Sequence, residues 1–344
     1  MPANFDRYVR QMRFAPLGEA GQRRLVQGRA LVCGCGALGS AAANALVRAG
    51  VGKVRIVDRD FVELSNLQRQ TLFDEQDVAA GLPKAIAAAE KLRKINSQVE
   101  IEPIVADLDW RNAEQFCAGV DVIVDGTDNF ETRFLVNDVA VKHGIAWIYG
   151  GALAAEGQTM TILPGETPCL RCLIPECPAP GSMSTCDTAG ILGPLVETIA
   201  AIEALEALKI LSGNRAAVSR HLTVIDLWEN RLRQLNVAEL RGQTDCPTCK
   251  QGQFPWLAGQ AVSRSAVLCG RNAVQLSQPA GAPVSLERLE AKLAPLGTVQ
   301  RNAFLLRLKV EGYELTIFAD GRAIIGGTDD VAAARTLYAK YVGN

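Results

Sequence analysis

This chain of 344 residues has no excess of either charge: 36 lysines and arginines face 37 aspartates and glutamates, for a net charge of −1 at pH 7. That balance argues against a general binder of nucleic acid or of an anionic membrane surface, because both roles need a basic face. It also lacks an uninterrupted apolar run. The longest, Ile191–Leu211, is broken by Glu197, Glu203, Glu206 and Lys209 and cannot span a bilayer. The opening residues MPANFDRYVR contain no apolar segment of the kind that heads a secreted chain, so a cytoplasmic location is expected. In that compartment the ten cysteines are expected to serve a metal or catalysis rather than disulfides. What is present is ample for a packed core, at 48% hydrophobic residues, and the length suggests about two domains.

The rest of the chain is arranged around the stretch from Ala30 to Asp58. An apolar run, Ala30–Cys33, turns through Gly34-Cys-Gly36-Ala-Leu-Gly39 into a small-residue helix over Ser40–Ala49. A second apolar run, Val54–Val57, then ends at Asp58. Strand, glycine turn, helix, strand and acid in this order describe a nucleotide-binding unit. Gly34 allows the tight turn, Gly36 lets a phosphate approach the backbone, and Gly39 lets the helix pack closely. The free N–H groups at the helix start favour an anion, and Asp58 is placed to accept bonds from a ribose hydroxyl.

Downstream, a dehydrogenase would enter another crossover helix. Here a polar loop follows instead, in which Asn66, Gln68 and Arg69 suit a triphosphate, whose several oxygens need several donors at once. Pro83 opens a helix over Ala85–Ile95, which puts Lys84 at a helix start, where the dipole disfavours a cation. Such a local conflict points to a functional placement. Strands are expected over Val99–Val105, Asp121–Val124, Ala146–Tyr149 and Gly157–Leu163, the last antiparallel to its neighbour. Asp128 and Asn129, at the carboxyl end of the fourth strand, lie where open α/β sheets bind ligands. Asp128 suits Mg²⁺ and Asn129 a nucleotide, and the pair equally suits capping of a helix over Phe130–His143.

Two CxxC knuckles, Cys169/Cys172 and Cys246/Cys249, read as one tetrahedral Cys₄ zinc clasp tying the end of the domain to its middle. Between them, in a polar loop before a helix over Leu195–Leu211, Cys186 is a candidate nucleophile, with Cys177 as rival. Cys33, Cys35, Cys117 and Cys269 read as packing residues.

With RYVRQ, GCGALGS, SNLQRQ, the Pro-Lys pair, DGTDN, both CxxC pairs and TCDTAGILGP in this order, the chain resembles the MoeB/ThiF/HesA family of bacterial E1-like enzymes, over about Phe5 to Gln251. The resemblance implies binding of ATP and Mg²⁺ by Gly39, Asp58, Ser65, Asn66, Leu67, Gln68, Arg69, Lys84, Asp128 and Asn129. It further implies that Arg10 is an arginine finger reaching into the partner subunit of a homodimer. In such enzymes the C-terminal glycine of a ubiquitin-like sulfur carrier, ThiS- or MoaD-like, is adenylated, and a sulfurtransferase or cysteine desulfurase can be a further partner. Cys186 matches the family's active-site cysteine. No side chain serves as general base, and none is needed, since a carboxylate is already ionised at pH 7.

The expected fold is therefore α/β: a Rossmann-like, mostly parallel sheet with a zinc clasp over residues 1–251, a linker at 252–260, and a small α+β module at 261–344. That module lies outside the family pattern and reads as β-α-β-β-β-α, without a catalytic constellation; a carrier-binding or dimer-supporting role suits it. Two other readings compete. An NAD-dependent oxidoreductase would use the glycine turn and Asp58 but not SNLQRQ, Lys84 or the clasp. A non-catalytic zinc scaffold would have no use for Arg10, Arg69, Lys84 and Asp128 together.

Overall fold

The computed structural model describes residues 5–178, 186–261, 265–268, 272–276 and 284–342. The chain divides into two compact units, one built from Met1–Ala179 with Ile191–Ala261 and one from Pro180–Gly190 with Val262–Asn344.

The first unit is organised by an eight-stranded sheet. Its strands are β1 (Arg29–Cys33), β2 (Lys53–Val57), β3 (Glu100–Ile104), β4 (Val122–Asp125), β5 (Ala146–Leu153), β6 (Glu156–Ile162), β7 (His221–Asp226) and β8 (Arg231–Asn236). Their spatial order is β3-β2-β1-β4-β5-β6-β7-β8. The first five pair in parallel and the last three antiparallel. Four helices that pack against this sheet are α1 (Ala37–Ala49), α2 (Lys84–Ile95), α3 (Phe130–His143) and α4 (Gly193–Leu211). Apolar side chains of β1, β4 and β5 alternate between two cores. Val32, Val124 and Ile148 pack with Leu46, Ala88 and Ile199, while Leu31, Ile123 and Trp147 pack with Phe134, Met160 and Trp256. Strands buried on both faces are what parallel sheets require.

The α/β fold is borne out, including the antiparallel turn of β6. β7 and β8 went unread in the sequence. Every residue of β8 is exposed, so no alternation of polar and apolar positions marks it. Where a linker was expected, at 252–260, Trp256 and Leu257 are buried in the second core, and the first unit runs on to Ala261. Their backbone N–H groups donate to Asp138 of α3 at 3.0 and 3.4 Å, a partner 118 residues distant for Trp256.

The second unit carries a sheet ordered β11-β12-β13-β14-β10-β9, from strands β9 (Ser265–Leu268), β10 (Ala273–Leu276), β11 (Thr298–Arg301), β12 (Leu305–Val310), β13 (Tyr313–Phe318) and β14 (Ala323–Gly326). Helices α5 (Leu286–Leu293) and α6 (Val331–Tyr341) share a core with Leu306, Leu308, Leu315 and Ile317. This corrects the β-α-β-β-β-α reading. The first strand of that reading is two antiparallel strands, β9 and β10, and β11 was missed because it is a largely exposed polar edge. No described helix is long and apolar enough to cross a membrane.

Glu203 of α4 is fully buried, and neither carboxylate oxygen has a hydrogen-bond partner among the described residues. It packs against Gly150 so closely that a Cβ there would lie 2.2 Å from Oε1. Burial pushes its pKa well above the ordinary value, so the folded chain holds this proton more tightly than the unfolded chain does. An acid that holds its proton more tightly folded than unfolded stabilises the fold at low pH. That stability is complete below the unfolded-state pKa and is lost as pH rises through the folded-state one. Glu203→Gln is therefore expected to narrow the alkaline loss of stability by roughly 1–3 kcal/mol. Urea midpoints at pH 6 and pH 9.5 test this; parallel pH dependence in variant and parent would refute it.

Candidate functional site

The crevice opens where the strand order reverses, between the carboxyl ends of β1 and β4. Three glycines bring the backbone together there. Gly34 adopts φ +85°, and a Cβ on it would fall 2.5 Å from the carbonyl oxygen of Gly126. A Cβ on Gly39 would fall 1.9 Å from the carbonyl of Gly34, so α1 is packed directly on the turn. Gly126, which the sequence analysis did not single out, completes the contact: its Cβ would lie 2.8 Å from the Cα of Gly39. Gly39→Ala should accordingly push α1 off the turn at a cost of roughly 1–3 kcal/mol or more, read as a lowered denaturation midpoint. An unchanged midpoint would mean that the turn yields freely.

Gly36 differs from these. It caps α1, and a Cβ there would meet nothing nearer than 3.9 Å, where Gln70 Nε2 lies. The space before the first free N–H groups of α1 is thus open, as an incoming phosphate needs. Gln70 is buried beside it, with Oε1 unpartnered among the described residues. Gln70 closes the SNLQRQ run, and nothing in the sequence set it apart there.

Asp58 is buried at the end of β2. Its Oδ2 accepts the N–H of Cys35 at 2.5 Å and its Oδ1 that of Asp60 at 2.6 Å. Burial raises its pKa and Lys84 opposes that shift. Lys84 is the first residue of α2 and is buried; its Nζ pairs with Asp60 at 3.2 Å. Arg59 forks onto both oxygens of Asp107 at 3.0 and 3.1 Å. Burial works against the charge on Arg59, but Asp107, Asp60 and Asp128 together outweigh it and raise the pKa.

The polar loop forms a single helical turn over Leu64–Asn66, and Asn66 is buried with Oδ1 accepting the N–H of Glu63 at 3.2 Å. Arg69 donates to the carbonyl of Ser65 at 2.9 Å; Ser65 and Gln68 are exposed, and Leu67 packs partly against the first core. At the end of β4, Asp128 is exposed and Asn129 caps α3, accepting the N–H of Thr132 at 2.8 Å. The capping role is therefore real, and it leaves the Asp128 carboxylate facing solvent. Arg10 lies in the helical turn Val9–Met12, exposed and without a partner among the described residues.

Behind the sheet, the four knuckle cysteines meet, with their sulfurs within 4.8 Å of one another. Cys169 lies 3.9 Å from Cys172 and 3.6 Å from Cys246, and Cys172 lies 3.5 Å from Cys249. Thiolates around one tetrahedral ion at about 2.3 Å stand about 3.8 Å apart, so the donor set and its spacing fit a bound metal ion. Helix α3 holds both knuckles: Asn137 Oδ1 accepts the N–H of Leu170 at 2.8 Å, and Asp138 Oδ1 accepts the hydroxyl of Thr248 at 3.4 Å. Nothing in the sequence singled out these two.

Cys186 opens a short helix, Cys186–Ala189; its side chain and the loop at 181–185 lie outside the described residues, as does Cys269. The rival Cys177 is half-buried, and burial pushes its thiol up to about 11, which suits it poorly to act as a nucleophile. Cys33, Cys35 and Cys117 are buried packing residues.

The ThiF family model matches residues 8–248. The chain is 44% identical to the sulfur carrier protein ThiS adenylyltransferase of Bacillus subtilis over 338 residues, covering 98% of this chain and 99% of that protein. It is 41% identical to the SAMP-activating enzyme E1 of Haloferax volcanii, across 72% of this chain and 89% of that one. Among solved structures, an ATP complex of E. coli MccB aligns with a TM-score of 0.60 at 23% identity, over 72% of this chain and 74% of that one, a likeness of fold. With its glycine turn, its crevice and its cysteine cluster in their expected places, the chain belongs to the ThiF family.

Proposed function

We propose that this protein is an adenylyltransferase that activates the C-terminal glycine of a ubiquitin-like sulfur carrier, ThiS- or MoaD-like, with ATP. The observation that carries the reading is the open space before Gly36 at the start of α1, flanked by buried Asp58 and Lys84. An oxidoreductase would have no need of the buried lysine.

In this reading Gly34, Gly36 and Gly39 shape the phosphate cradle, Asp58 takes the ribose, and Ser65, Asn66, Leu67, Gln68 and Asn129 line the nucleotide. The carrier's carboxylate oxygen bonds to the α-phosphorus and the bond to the β-phosphate oxygen breaks, so pyrophosphate leaves and an acyl-adenylate remains. No proton moves. The requirement is charge dispersal, which Arg69, Lys84 and Arg10 of a partner subunit supply. Asp128 would hold Mg²⁺, which spreads the charge of the phosphates when bound. The cysteine cluster holds a structural Zn²⁺. Cys186 accepts the activated acyl group or relays sulfur afterwards, with a sulfurtransferase or cysteine desulfurase as donor. Residues 1–251 carry adenylation, and the C-terminal module within 261–344 supports the carrier or the dimer. The setting is cytoplasmic.

ATP–pyrophosphate exchange with a ThiS-like carrier ending in Gly-Gly tests the reading. Exchange should require the carrier's terminal glycine, be abolished by Lys84→Ala and survive Cys186→Ala, which should block only the later sulfur transfer. Exchange unaffected by Lys84→Ala would overturn it.

A further inference from the structure

We infer that Arg133 and Asp125 are positioning residues for the adenylation step: their buried clasp fixes the loop 125–129 and sets the Asp128 carboxylate at the crevice. The inference rests on the function proposed above, in which Asp128 holds Mg²⁺. Arg133 lies one turn into α3 and is buried. Its Nε donates to Asp125 Oδ2 at 3.2 Å, and its Nη2 donates to the carbonyls of Thr127 and Gly150, each at 2.8 Å. One guanidinium thus joins the end of β4, the loop and β5. Aromatic rings hold the same group, since its carbon lies 5.4 Å from the centre of the Phe130 ring and 5.3 Å from that of Tyr149. Asp125 completes the clasp with Oδ1, which accepts the N–H of Thr127 at 2.9 Å and its hydroxyl at 2.6 Å.

The neighbours of Asp128 in this loop are all held. Gly126 donates to the carbonyl of Cys33 at 2.7 Å and lies against the glycine turn. Thr127 is bonded at its N–H, its hydroxyl and its carbonyl, and Asn129 caps α3. Asp128 is the one exposed residue between Asp125 and Phe130. Burial works against the charge on Arg133, but Asp125, and behind it Tyr149 and Asp128, outweigh it. Asp128 also acts on Arg59 after β2, so its carboxylate stands over the crevice between β2 and α3. A buried cation near a helix start needs a reason, because burial and the helix dipole both oppose it. Asp125 supplies the counter-charge, and the geometry calls for arginine: one ammonium cannot span the same three acceptors. Arg133→Lys therefore keeps the charge and removes the clasp.

The experiment measures Mn²⁺ binding, by electron paramagnetic resonance, to the protein complexed with α,β-methylene-ATP, in which the bond to be broken is blocked. Parent, Arg133→Lys, Asp125→Asn and Asp128→Asn are compared after urea unfolding has verified that each is folded. Arg133→Lys and Asp125→Asn should each weaken Mn²⁺ binding about 10–100-fold, as loss of a group that orients a metal ligand does. The exchange rate at fixed Mg²⁺ should fall by a similar factor and recover as Mg²⁺ is raised. Affinity for the analogue in EDTA should stay within about twofold of the parent, because Asp58, Lys84 and the glycine turn are untouched. Adding Arg133→Lys to Asp128→Asn should cost no more than about twofold further, since the clasp acts through that carboxylate. Asp125→Asn carries the test should Arg133→Lys not fold. Unchanged Mn²⁺ affinity in the folded variants overturns the proposal, as does a metal-free affinity that falls in step with it, the mark of general damage. So does a parent complex that binds no Mn²⁺, or a full further loss in the Asp128→Asn background. Absence of exchange in the parent with the Mn²⁺ losses present refutes the adenylation reading alone.

Discussion

Arg10→Ala is expected to slow adenylation on the order of 10³-fold while barely changing ATP affinity, because an arginine finger stabilises the transition state rather than the bound nucleotide. Its position argues for action in the partner's site. Its neighbours are tied to their own chain: Arg7 donates to the carbonyl of Ile95, the Tyr8 hydroxyl accepts from Asn96, and Gln11 donates to the carbonyl of Ala49. Ala49 and Ile95 end α1 and α2, the two helices that start at the glycine turn and at Lys84, where the proposed nucleotide cradle lies. A helix rises about 1.5 Å per residue. The 13 residues of α1 and the 12 of α2 therefore hold Arg10 about 15–20 Å from its own cradle, farther than its side chain extends. Mixing Arg10→Ala with Asp128→Ala, each inactive alone, should regain about a quarter of parental exchange, since half the dimers are mixed and each has one intact site. If verified subunit exchange restores nothing, Arg10 acts within its own chain or not at all.

Loss of the metal should be as damaging to stability as loss of Arg10 is to rate. Cys246→Ser is expected to reduce bound zinc from one equivalent per chain to less than half and to lower stability by several kcal/mol. Without an ion, four thiols crowd one buried space, and hydrogen bonding to Cys172 and Cys249, followed by burial, pushes the pKa of Cys169 upward. Several thiolates there need a cation between them. The damage should spread, because the second knuckle is joined through Thr248 to Asp138, and Asp138 also holds the backbone at Trp256 and Leu257. Elemental analysis with thermal unfolding before and after chelation measures this. Full zinc in Cys246→Ser, or an unchanged midpoint after metal removal, would show that the four sulfurs are not ligands of a structural ion.

Several features of the molecule were determined by the sequence alone because they are local. The turn through Gly34, Gly36 and Gly39, the acid after β2, Pro83 before α2 and the paired CxxC knuckles each express a backbone or ligand requirement within a few residues. The same locality made β8 and β11 invisible: an exposed polar strand is made by its neighbour's hydrogen bonds and carries no periodicity of its own. Tertiary structure alone decided the partners. That Lys84 leans on Asp60, that Gln70 faces the open space at Gly36, and that Asn137 and Asp138 hold knuckles 33 and 110 residues away follow from how distant segments register across the sheet. Burial decided the rest. The same tryptophan and leucine that look like linker residues become core residues once two N–H groups find a carboxylate inside, since buried backbone donors must be paired wherever the chain can pair them.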